Sequence, residues 1–199
     1  MKNLRIPTAL AALFTMAFIA TPQAQTIYQI NPATAINMKL SGTSTLHKWN
    51  MNATSFTGDA QFGFNPANAS QLTSIKSLSF SLPVLNLKSN ERGLDKNAYK
   101  ALKSGAYKNI AYKLTTANVQ PAIGNKYLVK TTGNLSIAGV TNAIDMNVYC
   151  VVNKDATITC TGSEHLKMTD YEVKPPTFML GAMKTGDDIT LDFTMVYKK

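Results

Sequence analysis

The sequence predicts an all-β fold: eight antiparallel strands closed into a barrel, with one short helix crossing between strands near residues 94–104. Three observations carry that expectation. Apolar and polar residues alternate with a period of two along most of the chain, turn-forming clusters separate the alternating runs, and a single stretch shows helical spacing instead.

Residues 1–24 stand apart from this domain. Lys2 and Arg5 lead into an apolar run from Leu10 to Ala20, followed by Gln23-Ala24-Gln25, the layout of a secretory signal peptide. The run is shorter than the roughly 20 residues needed to cross a bilayer. Cleavage is expected near Ala24, which leaves residues 25–199 as one domain, periplasmic or secreted. No cysteine follows the run, so a lipid-anchored N-terminus is not expected.

Within that domain the alternating runs come in sequence. Ile36, Met38 and Leu40 form the first, and Leu78, Phe80, Leu82 and Val84 alternate around Ser79 and Ser81. Tyr127 and Val129 lead on to Leu135 and Ile137; Ile144, Met146, Val148 and Cys150 follow; and Ile189 to Met195 alternates without a fault. Successive side chains of a strand point to opposite faces, so each run implies one wet face and one dry one. Asn65-Pro66-Ala67-Asn68, Pro121 to Asn125, Asn153-Lys154-Asp155 and Gly186-Asp187-Asp188 read as the turns between them. Short turns imply antiparallel neighbours. Closing eight strands removes exposed edges, and a barrel of that size just holds one small ligand. An open two-sheet sandwich is the competing architecture.

From Leu94 to Ser104 the alternation stops. Leu94, Ala98, Ala101 and Leu102 recur at helical spacing, while Arg92, Lys96, Lys100 and Lys103 share the opposite side, and Gly105 reads as the stop. The basic stripe is either a solvated face or a foot that docks transiently on anionic lipid headgroups.

The chain carries 20 basic and 11 acidic residues, a net charge of +9 that falls to about +7 once Lys2 and Arg5 are removed. Such a charge suits nucleic acid, an anionic membrane surface or nothing beyond solubility, and export argues against nucleic acid. The sequence does not fix the oligomeric state, a dimer being one of the alternatives.

Cys150 and Cys160 flank the turn Asn153 to Thr157, and a three-residue loop centred on Asp155 sets them opposite each other. Strand partners approach closely enough for a disulfide, which an oxidising compartment favours. Both also lie in phase with apolar neighbours, so two buried free thiols are the alternative.

No enzyme is expected. The sequence holds no GxSxG, Walker, HExxH or GxGxxG pattern, and His47 and His165 have no carboxylate at a recognisable spacing. A zinc site from both histidines and both cysteines lacks the short paired ligand spacings such sites use, so neither metal nor cofactor is expected.

Several segments resemble the YceI family of secreted polyisoprenoid-binding proteins. They are Leu40 to Trp49 with its His47-Lys48-Trp49; Arg92 through the helix to Ser104 and on to Tyr107–Tyr112; Gly133 to Thr141; and Met168 to Thr177. They run in family order over almost all of the domain. The resemblance implies a lipocalin-like eight-stranded barrel holding a polyisoprenoid or other long apolar lipid. Two departures stand out: Gly93 follows Arg92 where the family has an acidic residue, and Ser104-Gly105-Ala106-Tyr107 replaces its Phe- and Pro-containing approach to the next strand.

Phe62, Phe64, Leu78, Phe80, Leu82, Leu135, Ile137, Met146, Val148, Leu191 and Phe193 occupy the dry face, as the lining of a ligand chamber or as plain packed core. His47 and Trp49 fall near a strand end, where they close a barrel mouth, meet a headgroup or serve only as structure. Arg92 either meets a headgroup or anchors the helix through a salt bridge. A ligand-free scaffold that docks on anionic partners through the basic helix is the alternative to a lipid carrier.

Overall fold

The computed structural model describes residues 26–31, 37–178 and 183–199. The expected signal peptide and Ile36 lie outside the described residues. The strands are β1 (Tyr28–Ile30), β2 (Asn37–Ser44), β3 (Lys48–Ala53), β4 (Thr57–Asn65), β5 (Asn68–Pro83) and β6 (Leu87–Lys88). After the helix α1 (Arg92–Ala101) come β7 (Asn109–Pro121), β8 (Lys126–Ile137), β9 (Val140–Val152), β10 (Ile158–Lys167), β11 (Thr177–Phe178) and β12 (Met183–Lys198).

Eight strands close a ring in the order β1-β4-β5-β7-β8-β9-β10-β12, and β12 returns to β1. That closure decides for the barrel over the open sandwich. The first part of β12, Thr185–Thr194, pairs β2, and its last residues, Tyr197 and Lys198, pair β1. β1 and β2 therefore lie in tandem along one edge of β12. β3 and β6 extend the wall beside β2 at one end of the barrel.

The other end is closed by aromatic packing. Tyr28 meets Phe62 edge-on at 5.2 Å between centroids, and Phe62 meets Tyr197 at 5.5 Å. Such edge-to-face contacts add to the area the rings bury.

Two sequence expectations shift. Gly186-Asp187-Asp188 is no turn: it lies inside β12, where the register with β2 slips between Thr185 and Ile189 as a bulge. Four residues of β12 span two of β2, and the two extra residues are absorbed by a local kink while the strand continues. The helix starts at Arg92 and ends at Ala101, two residues earlier than expected at its start. Its stop is Lys103, at φ 52°, with the Ser104 N–H donating to the Tyr99 carbonyl at 3.0 Å. This is the left-handed cap that glycine favours, occupied by lysine, and Gly105 comes two residues too late to provide it. Asp95 in the first turn and Lys100 in the last oppose the helix dipole favourably.

Candidate functional site

The ring of strands leaves an apolar cavity of about 190 Å3. One water needs only about 10–15 Å3 on this measure, so the space is far larger than a packing defect. Alternation builds it. Leu78, Phe80 and Leu82 on β5, Leu135 and Ile137 on β8, Met146 and Val148 on β9, and Leu191 and Phe193 on β12 all face it. Nine of the eleven expected lining positions are therefore in the wall. Phe62 and Phe64 are not: they belong to the aromatic plug against Tyr28. Their phase is inward, but they sit at the narrowing end, where inward means packed.

Helix α1 closes the opposite end, presenting Leu94, Ala98, Ala101 and Leu102 to the cavity while Lys96, Lys100 and Lys103 stay exposed. Its Tyr99 hydroxyl donates to the Leu87 carbonyl at 2.7 Å, and Lys88 Nζ lies 5.2 Å from the Tyr99 ring centroid. The Ser89 hydroxyl and N–H both donate to the Asp95 carboxylate at 2.7 Å, which fixes the entry to the helix.

The three expected mouth residues separate. Trp49 is a wall residue: its indole lies on Gly42, where any Cβ would collide with the ring, and its Nε1–H donates to the Thr43 carbonyl at 3.0 Å. His47 is exposed on the rim, 3.7 Å from Glu91 just before the helix. Arg92 is exposed and, among the described residues, forms no ion pair, so the expected salt bridge holding the helix is not made. The tether is the Tyr99 hydroxyl instead.

Cys150 and Cys160 stand opposite each other in the β9–β10 register, both buried as thiols with their Sγ atoms 2.6 Å apart. The intervening loop is as the spacing predicts: Asn153 N–H donates to the Thr157 carbonyl, and Ala156 takes a left-handed φ of 62°. The hydrogen bond with Cys150, reinforced by burial, holds the Cys160 thiol well above its ordinary pKa. His165 points outward from β10 to the Thr190 hydroxyl, and His47 is on the rim, so the histidines and cysteines form no common ligand set. Among the described residues no group of three His, Cys, Asp or Glu is placed to hold a metal.

Polar groups reach the cavity at two places that sequence reading missed. Tyr112 on β7 leans over Gly133, the residue being 7% exposed and its buried hydroxyl having no hydrogen-bond partner among the described residues. Burial raises its pKa, offset in part by the nearby Thr131 hydroxyl, whose own hydrogen goes to the Met146 carbonyl at 3.3 Å.

The second place is a split in the wall. β9 and β10 pair only over Val148–Val152 and Ile158–Gly162; above Gly162 they diverge, each keeping its other neighbour. A 3-10 turn, Met168–Tyr171, bridges the split. The Asn142 side chain on β9 donates to the Asp170 carbonyl at 2.7 Å, and Asp187 on β12 accepts from the Thr169 N–H at 2.9 Å and hydroxyl at 2.6 Å. Glu164 faces inward here, and burial raises its carboxyl pKa. Tyr171 is 2% exposed with an unbonded hydroxyl, and burial pushes its pKa up to about 12. The signal for Glu164 was available: it sits in phase with Ile158, Cys160, Leu166 and Met168.

A search of curated proteins returns no match. Among solved structures, the chain is similar to BcnA of Burkholderia cenocepacia, at 20% identity and TM-score 0.62, covering 84% of this chain and 98% of that one. It is similar to a polyisoprenoid binding domain from Saccharophagus degradans implicated in plant cell wall breakdown, at 14% identity and TM-score 0.64, covering 86% and 97%. A Campylobacter jejuni YceI protein matches at 21% identity and TM-score 0.52, covering 71% and 81%. These likenesses establish a shared fold. The model of the YceI-like domain matches residues 28–197, nearly the whole barrel, and the chain belongs to the YceI-like family.

Proposed function

We propose that this protein is exported, through the signal peptide read in residues 1–24, and holds a polyisoprenoid or similar long apolar lipid inside its barrel without chemically altering it. The observation that carries the reading is the apolar cavity, walled by alternating residues from strands around the ring and capped by the apolar face of α1. A chamber of this kind gains binding free energy from burying hydrocarbon, roughly 25 cal/mol for each Å2 removed from water. The printed description of the Saccharophagus degradans domain as polyisoprenoid-binding supports the same reading.

Organic extraction of the purified protein followed by mass spectrometry tests it, with one long-chain lipid per chain as the expected yield. Met146→Trp, which projects a larger side chain into the cavity, should abolish that yield while the protein stays folded. Extracts without stoichiometric lipid, together with no uptake of added lipid, would count against the carrier.

The basic face of α1 adds a docking role. Lys96 and Lys100 on the helix that caps the cavity, and Lys103 just past its end, are exposed, so a contact with anionic headgroups brings the mouth to the membrane surface.

A further inference from the structure

A chamber for hydrocarbon needs no charge, yet one carboxylate faces into this one. Glu164 is carried inward by the strand phase it shares with Cys160 and Leu166, at the level where β9 and β10 part. Among the described residues no hydrogen bond partners its carboxyl. Across the split, the 98%-buried Tyr171 presents a hydroxyl that also lacks a partner. A buried hydroxyl left unbonded costs free energy unless something in the cavity bonds it, and the half-buried Glu164 carboxylate lines that same cavity. Both side chains line the same cavity, and the Glu164 charge adds to burial in raising the Tyr171 phenol pKa.

We propose that Glu164 and Tyr171 form the headgroup subsite of the cavity, and that it takes an uncharged hydrogen-bonding head, an alcohol or primary amide, over a phosphate or carboxylate. The inference rests on the lipid-carrier reading above and specifies which end of the lipid is recognised and where. An alcohol satisfies both groups at once, donating to the Glu164 carboxylate and accepting from the Tyr171 hydroxyl.

An anion meets the wrong field. The charges acting on Glu164 and Tyr171 include Asp145 on β9 and Asp170 in the bridging turn, both acidic. His165 acts on Glu164 from the outer face, where it bonds Thr190. Lys167 also lines the cavity; it is exposed, and its charge acts on Asp187.

Trp49, the single tryptophan, stands in the cavity wall and reports occupancy by its fluorescence. The purified, lipid-stripped protein is titrated with geranylgeraniol and with geranylgeranyl diphosphate, which share a chain and differ in head. The alcohol is expected to bind at least about tenfold more tightly, the ratio that corresponds to about 1.4 kcal/mol. Glu164→Gln should narrow that ratio by admitting the diphosphate, and Tyr171→Phe should weaken the alcohol several-fold, both variants still unfolding cooperatively and no less stable than wild type. Equal affinities in the wild type, or an alcohol preference untouched by both folded variants, overturn the subsite while leaving the carrier intact. Binding of neither lipid overturns the carrier and the subsite with it.

Discussion

The Tyr112 ring lies across Gly133 of the neighbouring strand, in the space a side chain at Gly133 would fill. β7 and β8 pair closely here, with Tyr112 opposite Leu135 and Gly133 opposite Leu114. The glycine is thus a packing partner, and its place in the Gly133–Thr141 segment has a physical cause in a residue some twenty positions upstream.

Gly133→Ala should be destabilising by about 1–3 kcal/mol, because a methyl there forces the phenol out of its site. Tyr112→Phe should be neutral or stabilising by up to about 1 kcal/mol, since it removes a buried hydroxyl that has no partner. Urea denaturation of both variants checks the pair, and a costly Tyr112→Phe would mean the hydroxyl is bonded after all.

Cys150 and Cys160 are expected to be joined when the protein matures in an oxidising compartment. Intact-mass measurement should show the exported protein about 2 Da lighter than its reduced form, with reduction lowering stability by no more than about 3 kcal/mol for so short a loop. Protein recovered from an oxidising compartment with two alkylatable thiols would contradict this.

The bridge across the β9–β10 split should loosen in acid. The Thr169 hydroxyl, and then its N–H, hydrogen-bond the Asp187 carboxylate and lower its pKa below the ordinary 3.8. A depressed carboxylate contributes stability above its unfolded pKa and loses it as pH falls through the folded one. Denaturation midpoints followed from about pH 5 to about pH 2 should therefore fall less steeply in Asp187→Asn than in the wild type. Identical slopes would show that the contact carries no linkage.

Glu164 should act in the opposite sense. Its folded pKa is raised, so stability is greatest below the ordinary 4.5 and declines as pH rises through the folded value. Glu164→Gln removes that decline, and the variant should melt higher than wild type at neutral pH but not at acid pH. A variant that melts lower at neutral pH would indicate a favourable ion pair there.

Helix α1 should govern membrane contact. Reversing Lys96, Lys100 and Lys103 to Glu should weaken binding to phosphatidylglycerol vesicles by at least tenfold, given about 1 kcal/mol per basic residue near such a surface. Wild-type binding should fall with salt. Because these lysines are exposed, melting should not change. Vesicle binding that survives the reversal would free the helix of this role.

Period-two alternation determined by itself that Leu78, Phe80, Leu135, Met146 and Leu191 share an inner face, because a strand's geometry is local and strict. The spacing about Asp155 likewise set Cys150 opposite Cys160, since a hairpin of known loop length leaves no freedom of register. What alternation does not contain is position along the barrel axis. Phe62 and Phe193 carry the same inward phase, yet one is packed against Tyr28 and Tyr197 and the other walls the cavity. Nor does it register a missing neighbour. Glu164 became a site residue only because β9 and β10 part above Gly162 and bring Tyr171 into the split, and that divergence depends on how distant strands twist together around a closed ring.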